Sequence, residues 1–282
     1  MRAVSSFPRA VLGVVGVLVC PPAQPPRPFP DCLDGAPRVT IRLPLALREV
    51  SGLTLGDDGR LWLHNDELGA VGALDLATGR PLASYRFGVG ARGDFEGIAL
   101  AAGRIYLVTS AGRMYSAPIP APGTPDGSLA IDSVDTGLGR RCEIEGLAFE
   151  PADRALLLAC KTPRTKALEG RVVIFRWSLE MRKLANPDRL EFAAADLARG
   201  RKGRQFRPSA IERHPGSGHY LILASADQAY AVVDRAGTVH HTGALGKRHR
   251  QPEGLAIGRS GEVVIADEGA TGPGTVTVYA CR

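Results

Sequence analysis

The sequence predicts an all-β chain, and three observations predict it. Five short stretches repeat one pattern: "REVSGLTL" from Arg48, "GDFEGIAL" from Gly93, "CEIEGLAF" from Cys142, "FRPSAIER" from Phe206 and "RQPEGLAI" from Arg250. Each is followed, after a short turn often holding Asp or Gly, by a second apolar run: "RLWLHNDE", "RIYLVTSA", "ALLLACKT", "YLILASAD" and "EVVIADEG". No amphipathic pattern of helical period separates them, which argues against an alternating α/β architecture.

The first two runs of each unit read as strands joined by a hairpin. The alternating segments "VGALDL" and "PLASYRF", and later "AYAVVD" and "TVHHTG", add a third and fourth strand around the "ATGR" and "RAG" turns, so each unit is a four-stranded meander. The key residues Ser51, Glu96, Glu145, Ser209 and Glu253 fall 45, 49, 64 and 44 residues apart. Four-stranded sheets recurring at that period indicate a single β-propeller. Five blades are expected, with six as the alternative. The 64-residue interval holds apparent insertions around "KTPRTKALEG" and "MRKLANPDRL", but no sixth glycine-anchored motif.

The last unit lacks an outer strand of its own after "GTVTVYA". The orphan segment "RVTIRLPL", Arg38 to Leu45, can supply it and so close the ring with an N-terminal strand. In that antiparallel pairing Cys281 comes close to Cys32. Cys142 and Cys160, at the start of one strand and the end of its hairpin partner, share an edge. Disulfides Cys32–Cys281 and Cys142–Cys160 are therefore expected. None of the cysteines has a spacing that suits zinc.

Residues 1–20 read as an export signal: Arg2 and Arg9 precede the apolar run "AVLGVVGVLV", which is too short to span a bilayer. Cys20 stands where a bacterial lipoprotein carries its lipidated cysteine, which would give a membrane tether. Val19 is larger than that motif wants, and cleavage near Ala23 without a lipid is the alternative. A proline-rich tether follows over 21–37, and the propeller domain spans 38–282. The chain is thus expected outside the cytoplasm: periplasmic, anchored to the envelope, or secreted.

Charge gives little to a partner search. The 35 Lys and Arg against 29 Asp and Glu leave +6, but the basic residues are scattered, so no nucleic-acid partner is expected. The densest group, "RGRKGRQFR" from Arg199, reads as a solvated loop. The chain has no GxSxG elbow, HExxH, P-loop or GxGxxG opening a helix.

The repeated acid is the chemical signal. The first residues of innermost propeller strands sit near one mouth of the central channel, so Glu96, Glu145 and Glu253 converge there with Ser51 and Ser209. Three like charges repel, and something positive is expected among them. One candidate is Ca²⁺, a hard cation that suits carboxylate and hydroxyl oxygens. The other is an internal cation, Arg207 or Lys161. A structural reading stands beside both, in which "EG" marks the strand start, with Gly allowing close packing. Asp66, Glu67, Asp227, Asp267 and Glu268, at the ends of the second strands, add a second layer. The expected metal ligands are Glu96, Glu145, Glu253, Asp66 and Asp267. The expected ligand-binding residues are Ser51, Glu67, Arg207, Ser209, Asp227 and Glu268. His64 stands beside this cluster as a base or ligand, whereas His240, His241 and His249 are expected to do no chemistry.

The stretches "EVSGLTL", "LWLHNDE", "DFEGIAL", "EIEGLAFEP", "FRPSAIERHP", "LILASADQAYAVVD", "QPEGLAI" and "VVIADEG" resemble the SdiA-regulated, YjiK-like family of bacterial extracytoplasmic β-propellers. The chain is also similar to propellers with an esterase-like phytase domain, which share "EGIA"-type blade starts. The resemblance implies a fold like that of calcium-dependent phytases and phosphotriesterases, with a metal in the channel. Two blades here offer Ser51 and Ser209 in place of an acid. The leading expectation is therefore a propeller binding a cation and a small ligand at its channel mouth, and the alternative is a metal-dependent phosphoester or ester hydrolase.

Overall fold

The computed structural model describes residues 17–19, 28–88, 91–198 and 205–281. Apart from Val17–Val19, the segment read as an export signal lies outside the described residues, as do Cys20 and most of the basic segment from Arg199. Five antiparallel blades form the molecule. The first comprises Val50–Leu55, Arg60–Asn65, Ala70–Asp75 and Pro81–Phe87, and the second Phe95–Ala101, Arg104–Thr109, Arg113–Pro118 and Asp132–Asp135. The third comprises Cys142–Glu150, Ala155–Pro163, Arg171–Ser178 and Lys183–Ala193, and the fourth Ala210–Arg213, Tyr220–Ala224, Ala229–Val233 and Val239–Ala244. The fifth takes Pro252–Ile257, Val263–Asp267 and Thr275–Tyr279 from the C-terminal end and Val39–Arg42 from the other. Each inner strand packs on the inner strands of both neighbouring blades, and the circuit returns from the fifth blade to the first.

Continuous apolar runs are what this arrangement demands. Successive side chains of a strand point to opposite faces, and in a propeller both faces of a blade are covered. In "ALLLAC", Leu156, Leu158 and Cys160 enter the core shared with the second blade. Leu157 and Ala159 enter the core shared with the fourth. Five such cores, one per seam, hold the ring.

The long third interval is resolved without a sixth blade. Its strands run to nine, nine, eight and eleven residues. The segment read as an insertion around "MRKLANPDRL" is mostly outer strand: Lys183–Ala193 pairs with Arg171–Ser178. Gly127–Leu129 adds an unexpected feature, running parallel to the outer strand of the first blade.

Ring closure is as expected. Val39 pairs with Val278 and Arg42 with Thr275 in antiparallel register. Val17–Val19 pairs in turn with the free edge of Val39–Arg42. The end of the proline-rich segment is docked, with Asp31–Asp34 in a 3₁₀ turn and the Phe29 ring stacked on His214 at 4.5 Å. Cys32–Cys281 joins the two ends with Cα atoms 5.3 Å apart, and Cys142–Cys160 bridges the third blade at 5.7 Å. The closing bridge spans 249 residues of sequence, so it removes much freedom from the unfolded chain. Cys281→Ser is expected to cost about 2–4 kcal/mol. Urea unfolding of the oxidised proteins checks this, and an unchanged midpoint would refute it.

Candidate channel-mouth site

Four of the five key residues occupy β-bulges. The pairing register of the inner hairpins shifts between Val50 and Gly52, Phe95 and Gly97, Ile144 and Leu147, and Pro252 and Gly254. Ser51, Glu96, Glu145 and Glu253 are thus left out of the ladder, and a bulge re-aims the side chain it frees. Ser209 precedes its strand directly, its N–H donating to the Leu223 carbonyl at 2.8 Å. The glycine after the acid lets neighbouring inner strands approach. A Cβ on Gly97 would lie 2.8 Å from the Leu147 nitrogen of the next blade. Gly146 has φ +95° and faces Ala210 and Ile211 backbone atoms at 3.1 Å.

The acids meet around a lysine. Lys161 Nζ pairs with Glu145, and Glu253 and Glu96 also act on it, which holds its pKa above the usual lysine value despite burial. Ser51 Oγ donates to Glu96 Oε2 at 2.9 Å. Burial, and then the charge of Glu145, pushes Glu96 up to about 9. Glu145 is only 3% exposed, and burial carries it to about 8 although Lys161 pulls the other way. Burial also raises Glu253 against the opposing hydrogen bond from Ser225 and the charge of Lys161. Glu268 is lifted to about 7 by burial and by Glu253, Asp66 and Glu49. Asp66 is raised chiefly by burial, and its Oδ1 is buried without a hydrogen-bond partner. The mouth therefore gathers more carboxylates than Lys161 alone can pair, and burial and mutual repulsion favour their protonated forms.

Other expected members are committed elsewhere. Asp267, read as a metal ligand, accepts from the Gln251 N–H at 3.2 Å and lies 2.7 Å from His249 Nδ1. His249, expected to do no chemistry, is buried, and its Nε2 is 2.7 Å from the Tyr279 hydroxyl. Arg207 and Asp227 pair with each other, which takes Arg207 away from the glutamates. Ser209 Oγ donates to the Pro252 carbonyl at 2.9 Å and accepts from Ser225 N–H at 3.1 Å. Glu67 is exposed beside Asp66. His64 is wholly buried, its pKa lowered to about 4, with Nδ1 on the Asn65 carbonyl and Nε2 unpartnered against Gly52. That burial removes it as a solvent-accessible base. Ser225 went unnoticed in the sequence because it carries no charge and follows an ordinary strand.

The oxygen-rich donor set fits the chemistry of a hard cation. As arranged around Lys161, no three His, Cys, Asp or Glu side chains among the described residues form a group that would hold a metal ion.

The fold and this axial mouth define the chain as a five-bladed β-propeller. The sequence matches no protein-family model and no curated protein. Among solved structures, a luciferin-regenerating enzyme aligns with a TM-score of 0.52 at 8% identity, over 85% of this chain and 94% of that one. Myxococcus xanthus glutaminyl cyclase aligns with a TM-score of 0.53 at 15% identity, over 82% and 89%. At such identities the likeness establishes the fold alone.

Proposed function

We propose that the chain is an exported binding propeller whose channel mouth takes Ca²⁺ through Glu96, Glu145 and Glu253, with Asp66 beside them. The observation that carries this reading is the convergence of three bulge glutamates, from three blades, on Lys161. An incoming cation would displace protons and the Lys161 contact, supplying the charge that the mouth lacks. Asp267 is left out of the set, since its oxygens already serve His249 and Gln251. The resemblance to SdiA-regulated, YjiK-like propellers supports an extracytoplasmic role. So do the two disulfides and the N-terminal apolar run. Among the described residues no helix is long and apolar enough to cross a membrane.

Titration calorimetry and thermal melting test the reading. Ca²⁺ at a hundred times its dissociation constant should add about 2.7 kcal/mol of stability. Glu145→Gln keeps the side-chain volume and removes one charge, so it should weaken Ca²⁺ at least tenfold while the metal-free protein still folds. Absence of both heat and a melting shift in the wild type would overturn the proposal. Equal affinity in the two proteins would remove Glu145 from the ligand set.

A further inference from the structure

The inner strands have a second end, and there the channel opens differently. A cavity of about 220 Å³ is walled by one side chain or more from every blade, including Leu55, Leu100, Phe149, Glu212 and Ile257. A larger cavity of about 550 Å³ shares Leu55, Leu100 and Phe149 and extends it along the seam of the first two blades. The walls combine these apolar side chains with charged ones, among them Asp57, Arg213 and Arg259, and those charges are mostly matched. Arg213 faces the fully buried Glu150 at 3.4 Å, and Tyr220 donates to that same carboxylate at 2.6 Å. Arg259 is paired with Asp57.

Glu212 is the exception. One of its oxygens accepts the backbone N–H of Arg213 at 2.8 Å, and among the described residues its side chain makes no other hydrogen bond. Burial pushes the carboxyl up to about 8, against the opposing effects of that bond and the Arg213 charge. An acid held this way, without a cationic side chain hydrogen-bonded to it, is stabilised by a positive partner of its own. The neighbouring aromatic and aliphatic side chains can cover an apolar body. An aromatic face near a carboxylate also suits an ammonium group.

We infer that this second mouth binds a small apolar amine, with its ammonium on Glu212 and its body against Leu55, Leu100, Phe149 and Ile257. The site is separate from the acidic mouth and does not depend on Ca²⁺ there. Benzylamine is the probe, with benzyl alcohol and benzoate as neutral and anionic counterparts of the same ring. The full protein should bind benzylamine by calorimetry at least tenfold more tightly than either counterpart. Methyl and ring resonances of Leu100, Ile257 and Phe149 should shift in the wild type, an observation that needs no variant. Glu212→Gln preserves an acceptor for the Arg213 N–H and should lose at least tenfold in benzylamine affinity. Glu145→Gln should retain it. No benzylamine binding, preferential benzoate binding, or loss in Glu145→Gln with retention in Glu212→Gln would each overturn the inference.

Discussion

Gly146→Ala should cost about 4 kcal/mol of folding stability, combining a strained backbone conformation with overpacking. At φ +95° an L side chain is disfavoured, and the added Cβ would meet the Ala210 and Ile211 backbones at 3.1 Å. Those atoms belong to the inner strand of the fourth blade, so relief requires two blades to move apart. Gly103→Ala is the internal comparison: its φ of +73° is also positive, but nothing lies within 4 Å of the new methyl group. It should cost about 1–2 kcal/mol, the backbone part alone. Urea unfolding of both variants reads the difference. Equal losses would show that inner-strand approach does not limit this position.

The same close approach explains why the fold could be read from the sequence. Strands buried on both faces must be apolar throughout, and the bulge with its following glycine writes "EG" or "SG" at the head of four of the five inner strands. Outer strands face solvent and carry no such mark. Asp132–Asp135, "DSVD", is exposed along most of its length and gave no strand signal. Lys183–Ala193 contains Asn186, Pro187 and Asp188, which are tolerated at a blade's edge and read as an insertion. The candidate site was legible to the extent that it repeats: Glu96, Glu145 and Glu253 announce one another. His249 and Asp267 form a buried pair whose members come from a loop and a strand end, and no periodicity links them. Glu212 escaped notice because nothing about an acid in "AIERHP" marks it as facing the second mouth.

Stability should fall as pH rises from about 5 to about 9, the reverse of what paired surface carboxylates give. Glu96 and Glu145 stand near 9 and 8 in the folded protein, whereas an unfolded glutamate titrates near 4.5. Between those limits the folded state binds more protons than the unfolded state, so the slope of unfolding free energy against pH is negative. The stabilisation is fully present below the unfolded pKa and is lost as pH approaches the folded values. Each group removes roughly 1.4 kcal/mol per pH unit within its own window. Glu96→Gln should flatten the upper part of this decline, since Gln keeps an acceptor for Ser51 and takes on no charge. Ca²⁺ should oppose the decline in the wild type, because a bound cation favours the ionised carboxylates that high pH produces. Its stabilising increment should therefore grow from pH 6 to pH 9, measured by denaturant unfolding at fixed ionic strength. A wild-type stability that rises over this range would mean that Lys161 and the bulge backbone already neutralise the mouth. An increment from Ca²⁺ that does not change with pH would place the ion away from Glu96 and Glu145.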